Sequence, residues 1–336
     1  MSISLLFITV LNSHQLNAQV DTLYLKTSEI LIGELKEMNR NVAVFETDYS
    51  DSDFKITWSK IKSVVTNTHY LVTLNSGDRY SGKLKSNGEV VYIISEQDTL
   101  AQTTIPDIVY LKKLDSNFWS NLNASLSVGY NYTKANQLSQ FSIRSNFTYT
   151  SRRWLAASNY NQIFSSQDEA NTTRRLDANV LYNYFFQKKW YVTSEVNWLS
   201  NTAQNINLRT VSKLGVGKYI INSNRLYWGF KTGLSFNNES FDFENTITTN
   251  NSWEAFFGTE ANLYDIGDFN LLTRWVVYPS LSESKRIRTD LNIDVKYDLP
   301  LDFFIKFGLS LNYDNQPIQF GSQTDYVFQT TLGWSL

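Results

Sequence analysis

The chain has 336 residues, among them two histidines and no cysteine, and that scarcity sets the first limit on its chemistry. His14 lies in an N-terminal apolar stretch and His69 in a strand-like region, so neither is found from residue 116 onward. A base that activates serine or water near neutral pH is most often an imidazole. A Ser–His hydrolase or an Asp–His protease is therefore not expected there, and thiol chemistry is excluded throughout. His69 has no second histidine or cysteine to complete a zinc set and reads as a solvated strand-edge residue. Asp48, Asp51 and Asp53 have the charge of a calcium loop without the glycine and terminal glutamate that an EF-hand requires, so they read as a solvated turn. Paired carboxylates remain, Glu254 with Glu260 and Asp290 with Asp294, but like-facing carboxylates in polar surroundings read as ion-paired structure. No enzyme, metal or cofactor is expected.

What is left is charge at alternating positions. Arg209 and Lys213, and the series Arg288, Asp290, Asp294 and Lys296, are spaced by two or four residues, which on a β-strand puts them on one face. Arg144, Arg175, Asp177, Glu195, Lys231, Glu254, Glu260, Arg274 and Lys306 fall on the polar phase of their own segments. One reading is an interior cross-linked by ion pairs that stiffens a wall. The other is a narrow solute path in which Arg209, Lys213, Arg274 and Arg288 set an anionic preference. Glu254 and Asp294 complete the lumen-lining candidates.

The elements that must position these charges are strands. From Phe118 onward apolar and polar residues alternate to the end of the chain. Tyr326, Phe328, Thr330, Leu332, Trp334 and Leu336 oppose Gln329, Thr331, Gly333 and Ser335, and Phe303, Ile305, Phe307, Leu309 and Leu311 oppose Lys306, Gly308, Ser310 and Asn312. Counting such segments predicts about twelve strands of roughly 11 to 15 residues, long enough for a tilted bilayer crossing. The links alternate too. Short ones (Ser151-Arg152, Gln187-Lys188, Asn222-Ser223, Tyr264 to Asp268, Leu299-Pro300) interleave with longer polar ones (Thr133 to Leu138, Ser165 to Thr172, Asn237 to Asn250, Asn315 to Gln323). Outer-membrane barrels have short periplasmic turns and longer outer loops. Eight of the nine Trp lie in this region, with Trp119, Trp154, Trp190 and Trp334 near expected strand ends, as in an interfacial aromatic girdle. A soluble β-sandwich also alternates, but does not need so many long strands ending in aromatics.

Upstream, an apolar run from Ile3 to Leu11 followed by Leu16-Asn17-Ala18 reads as a signal peptide over residues 1–18, without the usual basic start. Residues 19–115 hold an internal duplication: Leu25 to Leu35 (LKTSEILIGEL) matches Leu74 to Leu84 (LNSGDRYSGKL), with Gly33 and Gly82 in equivalent places. Alternating runs follow in each copy, Val42 to Phe45 and Val90 to Ile94. Two small, strongly bent β-units of SH3-like or Sm-like form are the simplest account.

Composition narrows the class. A net charge of -2, from 30 basic and 32 acidic residues, offers nucleic acid no polycationic surface. Aromatic content of 15% beside a mean hydropathy of -0.32 fits a wall with lipid on one side and water on the other. No stretch after the signal reaches the ~18 apolar residues of a membrane helix, so any crossing falls to strands. The reading is an all-β chain: an antiparallel transmembrane β-barrel over residues 116–336, preceded by a duplicated β domain. Outer-membrane lipid is the expected surrounding, and the barrel is expected to be a monomer.

Three segments carry a family resemblance. Leu208-Arg209-Thr210 to Gly215-Val216-Gly217-Lys218-Tyr219, the stretch Tyr278 to Pro300 (YPSLSESKRIRTDLNIDVKYDLP) and the ending Thr324 to Leu336 (TDYVFQTTLGWSL) resemble the salt-induced outer membrane protein family, domain of unknown function 481. The first unit, with Lys55-Ile56-Thr57-Trp58, is similar to the periplasmic module that often precedes this barrel. The resemblance implies an outer-membrane barrel with the first unit in the periplasm, where it could meet a protein partner. It supplies no catalytic or ligand residues. Its name suggests a part in envelope integrity under osmotic stress. Leu336 stands where the family more usually ends in an aromatic.

Overall fold

The computed structural model describes residues 20–96, 98–114, 118–134, 137–167, 172–202, 206–243, 246–301, 303–316 and 323–334. The expected signal at residues 1–18, His14 and Leu336 lie outside the described residues.

The duplication is visible element by element. β1 (Asp21–Leu25), β2 (Ile30–Asn39), β3 (Val42–Glu46), β4 (Phe54–Thr57) and β5 (Ile61–Val65) form one copy. β6 (Tyr70–Leu74), β7 (Arg79–Asn87), β8 (Val90–Ser95), β9 (Asp98–Thr104) and β10 (Ile108–Lys113) form the other. A single 3-10 turn, Trp58–Lys60 or Ile105–Asp107, precedes the fifth strand of each. The two copies are not separate bodies, as the sequence reading had it. The fifth strand of each copy pairs with the second strand of the other, β5 with β7 and β10 with β2. The ring β1-β5-β7-β6-β10-β2 thereby closes into a six-stranded barrel, leaving no free edge in the ring.

One core serves both copies. Leu23, Leu35, Met38, Phe45 and Trp58 pack with Val72, Leu84, Val91, Ile93 and Ile108. Neither copy has enough apolar surface to bury alone, and sharing a core solves that. Trp58 Nε1 donates to Ile105 O at 2.7 Å, tying one 3-10 turn to the other. The Asp21 carboxylate is fully buried and accepts from Leu35 N (3.1 Å), Asn67 N (2.9 Å) and the Tyr70 hydroxyl (2.5 Å). Burial pushes its pKa up against the pull of these donors.

Twelve further strands form one antiparallel sheet in sequence order: β11 (Leu122–Thr133), β12 (Leu138–Thr150), β13 (Trp154–Ser166), β14 (Thr173–Phe185), β15 (Trp190–Asn201), β16 (Ile206–Asn222), β17 (Leu226–Phe243), β18 (Thr246–Ile266), β19 (Phe269–Pro279), β20 (Ile287–Asp298), β21 (Phe303–Asp314) and β22 (Thr324–Trp334). The expected polar loop from Asn237 to Asn250 is a correction. β17 and β18 continue through it as a paired ribbon, from Asn237↔Ser252 to Phe243↔Thr246. The run of Asn, Ser and Thr has the polarity of a loop, but Ile247, Thr248 and Thr249 are β-branched, and a ladder needs no buried face to hold its backbone bonds.

Among the described residues no ladder joins β11 to β22, and both strands are exposed along nearly their whole length. Between them the sheet curls toward its polar face. Lys213 of β16 reaches Tyr278 of β19, and Arg288 of β20 reaches Glu254 of β18.

The first unit sits against the short-turn end of the sheet. Arg79 Nη2 donates to Ser151 O in the β12–β13 turn (3.4 Å), and its guanidinium lies 4.2 Å from the Phe185 ring centroid. Asn224 Nδ2, in the β16–β17 turn, donates to Ile108 O (2.8 Å), and Arg40 lies over the Tyr264 ring at the end of β18. Gly77 faces Lys189 of the β14–β15 turn so closely that a Cβ would fall 2.7 Å from its backbone nitrogen, at a φ of +88° that only glycine adopts without strain.

Candidate functional site on the polar face of the large sheet

The ladder registers sort the side chains. Every charged residue read as inward falls on one face, shown by the chain of opposite pairs Glu195↔Lys213↔Ser235↔Glu254 and by Glu260↔Arg274, Asp294↔Gly308 and Lys296↔Lys306. The other face carries Leu126, Phe147, Val180, Leu234, Trp253, Phe257, Trp275 and Leu332, all exposed. Its rim at the short-turn end is aromatic. Trp154 and Trp190 open β13 and β15, Trp334 closes β22, and Phe118, Tyr149, Trp154 and Tyr182 stack in succession at 4.8 to 5.9 Å.

Between β16 and β20, buried carboxylates on the polar face are paired with part-buried cations. Arg288 meets Glu254 through two parallel hydrogen bonds, Nε–Oε1 2.8 Å and Nη2–Oε2 2.7 Å, and Glu254 is 0% exposed. Arg209 Nε stands 2.6 Å from Oε1 of Glu239, itself 1% exposed. A lone carboxylate there would be prohibitively costly, so each pair exists as a unit. Arg286 bridges Glu283 and Asp314 nearby, both at 2.6 Å. Lys213 Nζ donates to the Tyr278 hydroxyl at 3.2 Å, and the same ring lies under Arg288.

The curl needs small residues. On the polar face Gly215, Gly233, Phe256 and Tyr278 succeed one another across four strands, and a Cβ on Gly215 would lie 2.7 Å from Phe256 Cζ. The Phe256 ring thus covers Gly215 as Tyr191 covers Gly217, an arrangement in which an aromatic ring shields a glycine. Phe256, Val276 and Tyr278 form a small apolar cluster inside an otherwise polar face.

Two cavities lie on this face. One, of about 440 Å³, is lined by Tyr191, Tyr219, Tyr227, Asn183, the pair Glu195 and Glu260, and the pair Lys231 and Arg274. The second, of about 510 Å³, is lined by Arg144, Asn146, Asn161, Asp177 and Arg209. Asn159, Asn179 and Asn197 line both. These three stand directly opposite one another on β13, β14 and β15. Asn159 Nδ2 donates to Asn179 Oδ1 at 3.5 Å, and Asn179 Nδ2 to Asn197 Oδ1 at 2.8 Å.

The six candidates from sequence therefore divide. Lys213 and Arg288 meet at Tyr278, Glu254 pairs with Arg288, Arg209 pairs with Glu239, and Arg274 lines the first cavity. Asp294 is exposed on β20 and lines neither cavity. Reading charges alone missed the asparagines and tyrosines. Their signal was present, since Asn159, Asn161, Asn179, Asn183 and Asn197 all fall on the polar phase of their strands.

A model of a protein family of unknown function, DUF481, matches residues 126–336. The chain belongs to this family. The match covers β12 to β22 and most of β11, and excludes the six-stranded barrel. No curated protein and no solved structure matches the chain. Among the described residues no group of three or more His, Asp or Glu could hold a metal ion.

Proposed function

We propose that the DUF481 sheet is the wall of a twelve-stranded outer-membrane β-barrel, and that the first unit is an SH3-like duplicated domain on its periplasmic side. The observation that carries this reading is the inversion of faces. Exposed rows of Phe, Leu, Val and Trp cover one side, while buried carboxylates sit against part-buried guanidinia on the other, which is the arrangement lipid outside and polar contents inside require. An even strand number makes β11 and β22 antiparallel, so their free edges can close the wall as one more hairpin-like ladder. The short-turn end, with its aromatic rim and its docked first unit, faces the periplasm. Export follows from the signal over residues 1–18.

The role is structural: a stiff, ion-paired barrel that anchors the first unit beneath the membrane, where it meets envelope partners. The salt-induced family resemblance ties this to envelope integrity under osmotic stress. The two adjoining cavities favour a second reading, a narrow channel. The test of the barrel is purification: the mature chain should need detergent and run faster on gels before boiling than after. A chain freely soluble without detergent overturns it. Single-channel recording in planar bilayers separates the two roles, since a closed structural barrel gives no conductance steps and a channel does.

A further inference from the structure

One of the two readings of the sequence gives this face an anionic preference. The cavity beside the asparagine ladder points elsewhere. Its charged lining is two carboxylates, Glu195 and Glu260, and two cations, Lys231 and Arg274. The quartet is not isolated: Glu195 faces Lys213, which stands directly opposite it, as well as Lys231 and Arg274. Lys231 faces Arg274, Glu195, Lys213 and Glu260. Lys213 is answered in turn by Glu195 and Asp290, so the wider cluster keeps three cations beside three carboxylates. The formal charge of the lining cancels, so an entering anion finds as much repulsion as attraction. Further along the face the same holds, because Arg209 is held by Glu239 and Arg288 by Glu254.

What the cavity offers in quantity is neutral donors and acceptors. Asn159, Asn179, Asn183 and Asn197 line it beside the phenols of Tyr191, Tyr219 and Tyr227, and Asn179, whose Nδ2 donates to both Asn197 Oδ1 and Glu195 Oε1, fixes the ladder against the carboxylate. A carboxamide presents a donor and an acceptor side by side, as a phenol does in one group, and a sugar hydroxyl answers both. Asn183 lines the same cavity, and its Oδ1 has no hydrogen-bond partner among the described residues, so this carboxamide is not used up by the wall. The volume of about 440 Å³ is within the range that holds a small ligand. The adjoining cavity of about 510 Å³ shares the ladder, so the polar track continues along the face.

The geometry points to a binding site for a neutral polyhydroxylated solute of disaccharide size, seated among the Asn159–Asn179–Asn197 ladder, Asn183 and the Glu195–Lys231–Glu260–Arg274 quartet. The inference rests on the proposal that the sheet closes with this face inside. The full chain, purified in detergent, is titrated by calorimetry with maltose as the neutral probe, gluconate as the anionic polyol and glycine betaine as the zwitterion. Maltose should bind saturably, with gluconate and betaine at least about tenfold weaker. Asn179→Leu should weaken maltose about tenfold or more. Glu195→Gln leaves the quartet one positive charge in excess and should raise gluconate affinity relative to maltose. Heat-dependent gel mobility is recorded for each protein. Loss of that shift in the unaltered chain refutes the barrel itself. A chain that keeps the shift yet binds no maltose, binds gluconate equally or better, or is indifferent to Asn179→Leu overturns this site alone.

Discussion

The six-stranded barrel and the twelve-stranded sheet are built from the same alternation and use it in opposite senses. In the first, Leu35, Phe45, Trp58, Leu84 and Ile93 point inward and are fully buried, while the charged residues Lys36, Glu46 and Lys83 face out. In the second, Leu126 is 69% and Leu332 70% exposed, while Glu254 and Glu239 are buried. The hydrophobic effect organises the first by taking apolar area out of water. In the second the apolar face is the exposed one, and polar contacts hold the other face. Period-two patterning thus defines two faces without saying which one is the inside.

The largest expected effect that would sharpen this contrast lies in the first unit. Trp58→Ala removes its largest buried side chain and should cost about 3–5 kcal/mol. Hydrogen exchange should then rise across β1 to β10 with the large sheet still protected, and equal deprotection of both regions would show them to be one cooperative body. Glu254→Ala should cost a comparable amount, about 3–5 kcal/mol, by leaving the Arg288 charge buried alone. The double variant with both residues changed to Leu should recover most of that loss in a urea unfolding cycle. A cycle that shows no coupling would mean that the pair does not hold the interior.

The contrast between faces can be broken at one site on β11. Leu126→Arg places a charge on the apolar face and should cost about 2–4 kcal/mol in a lipid-facing wall, whereas Ser125→Arg on the polar face should cost little. Folding yields into detergent or lipid would reveal the difference, and similar yields for the two variants would remove the two-sided wall. The smallest effect concerns the curl. A Cβ at Gly217 would sit among the ring atoms of Tyr191. Gly217→Ala should therefore cost about 1–3 kcal/mol from overpacking. Adding Tyr191→Ala should relieve that strain, so a further loss in the double variant would place the constraint in the backbone instead.

Much of the fold was legible because a strand declares its faces locally. Arg209 and Lys213, or Asp290 and Asp294, needed only their spacing to be placed on one side, and the short turns at Ser151 and Asn222 needed only their composition. The ribbon from Asn237 to Asn250 was misread because polarity and loop are correlated without being the same. The site was less legible. Charges are conspicuous in a sequence, so Arg274 was found, whereas Asn159, Asn179 and Asn197 are each unremarkable until three registers bring them into line.

By itself the sequence determined the strands, their number in the large sheet, the polar and apolar phase of each, and the presence of two related copies upstream. All of these follow from side chains that alternate every residue along one strand. Only the tertiary structure decided that the two copies share one barrel, that Arg288 answers Glu254 across β19, that Arg209 is held by Glu239, and that the first unit sits on the short turns. Those choices depend on register, curl and docking, which are properties of strands in pairs and sheets, and no single segment carries them.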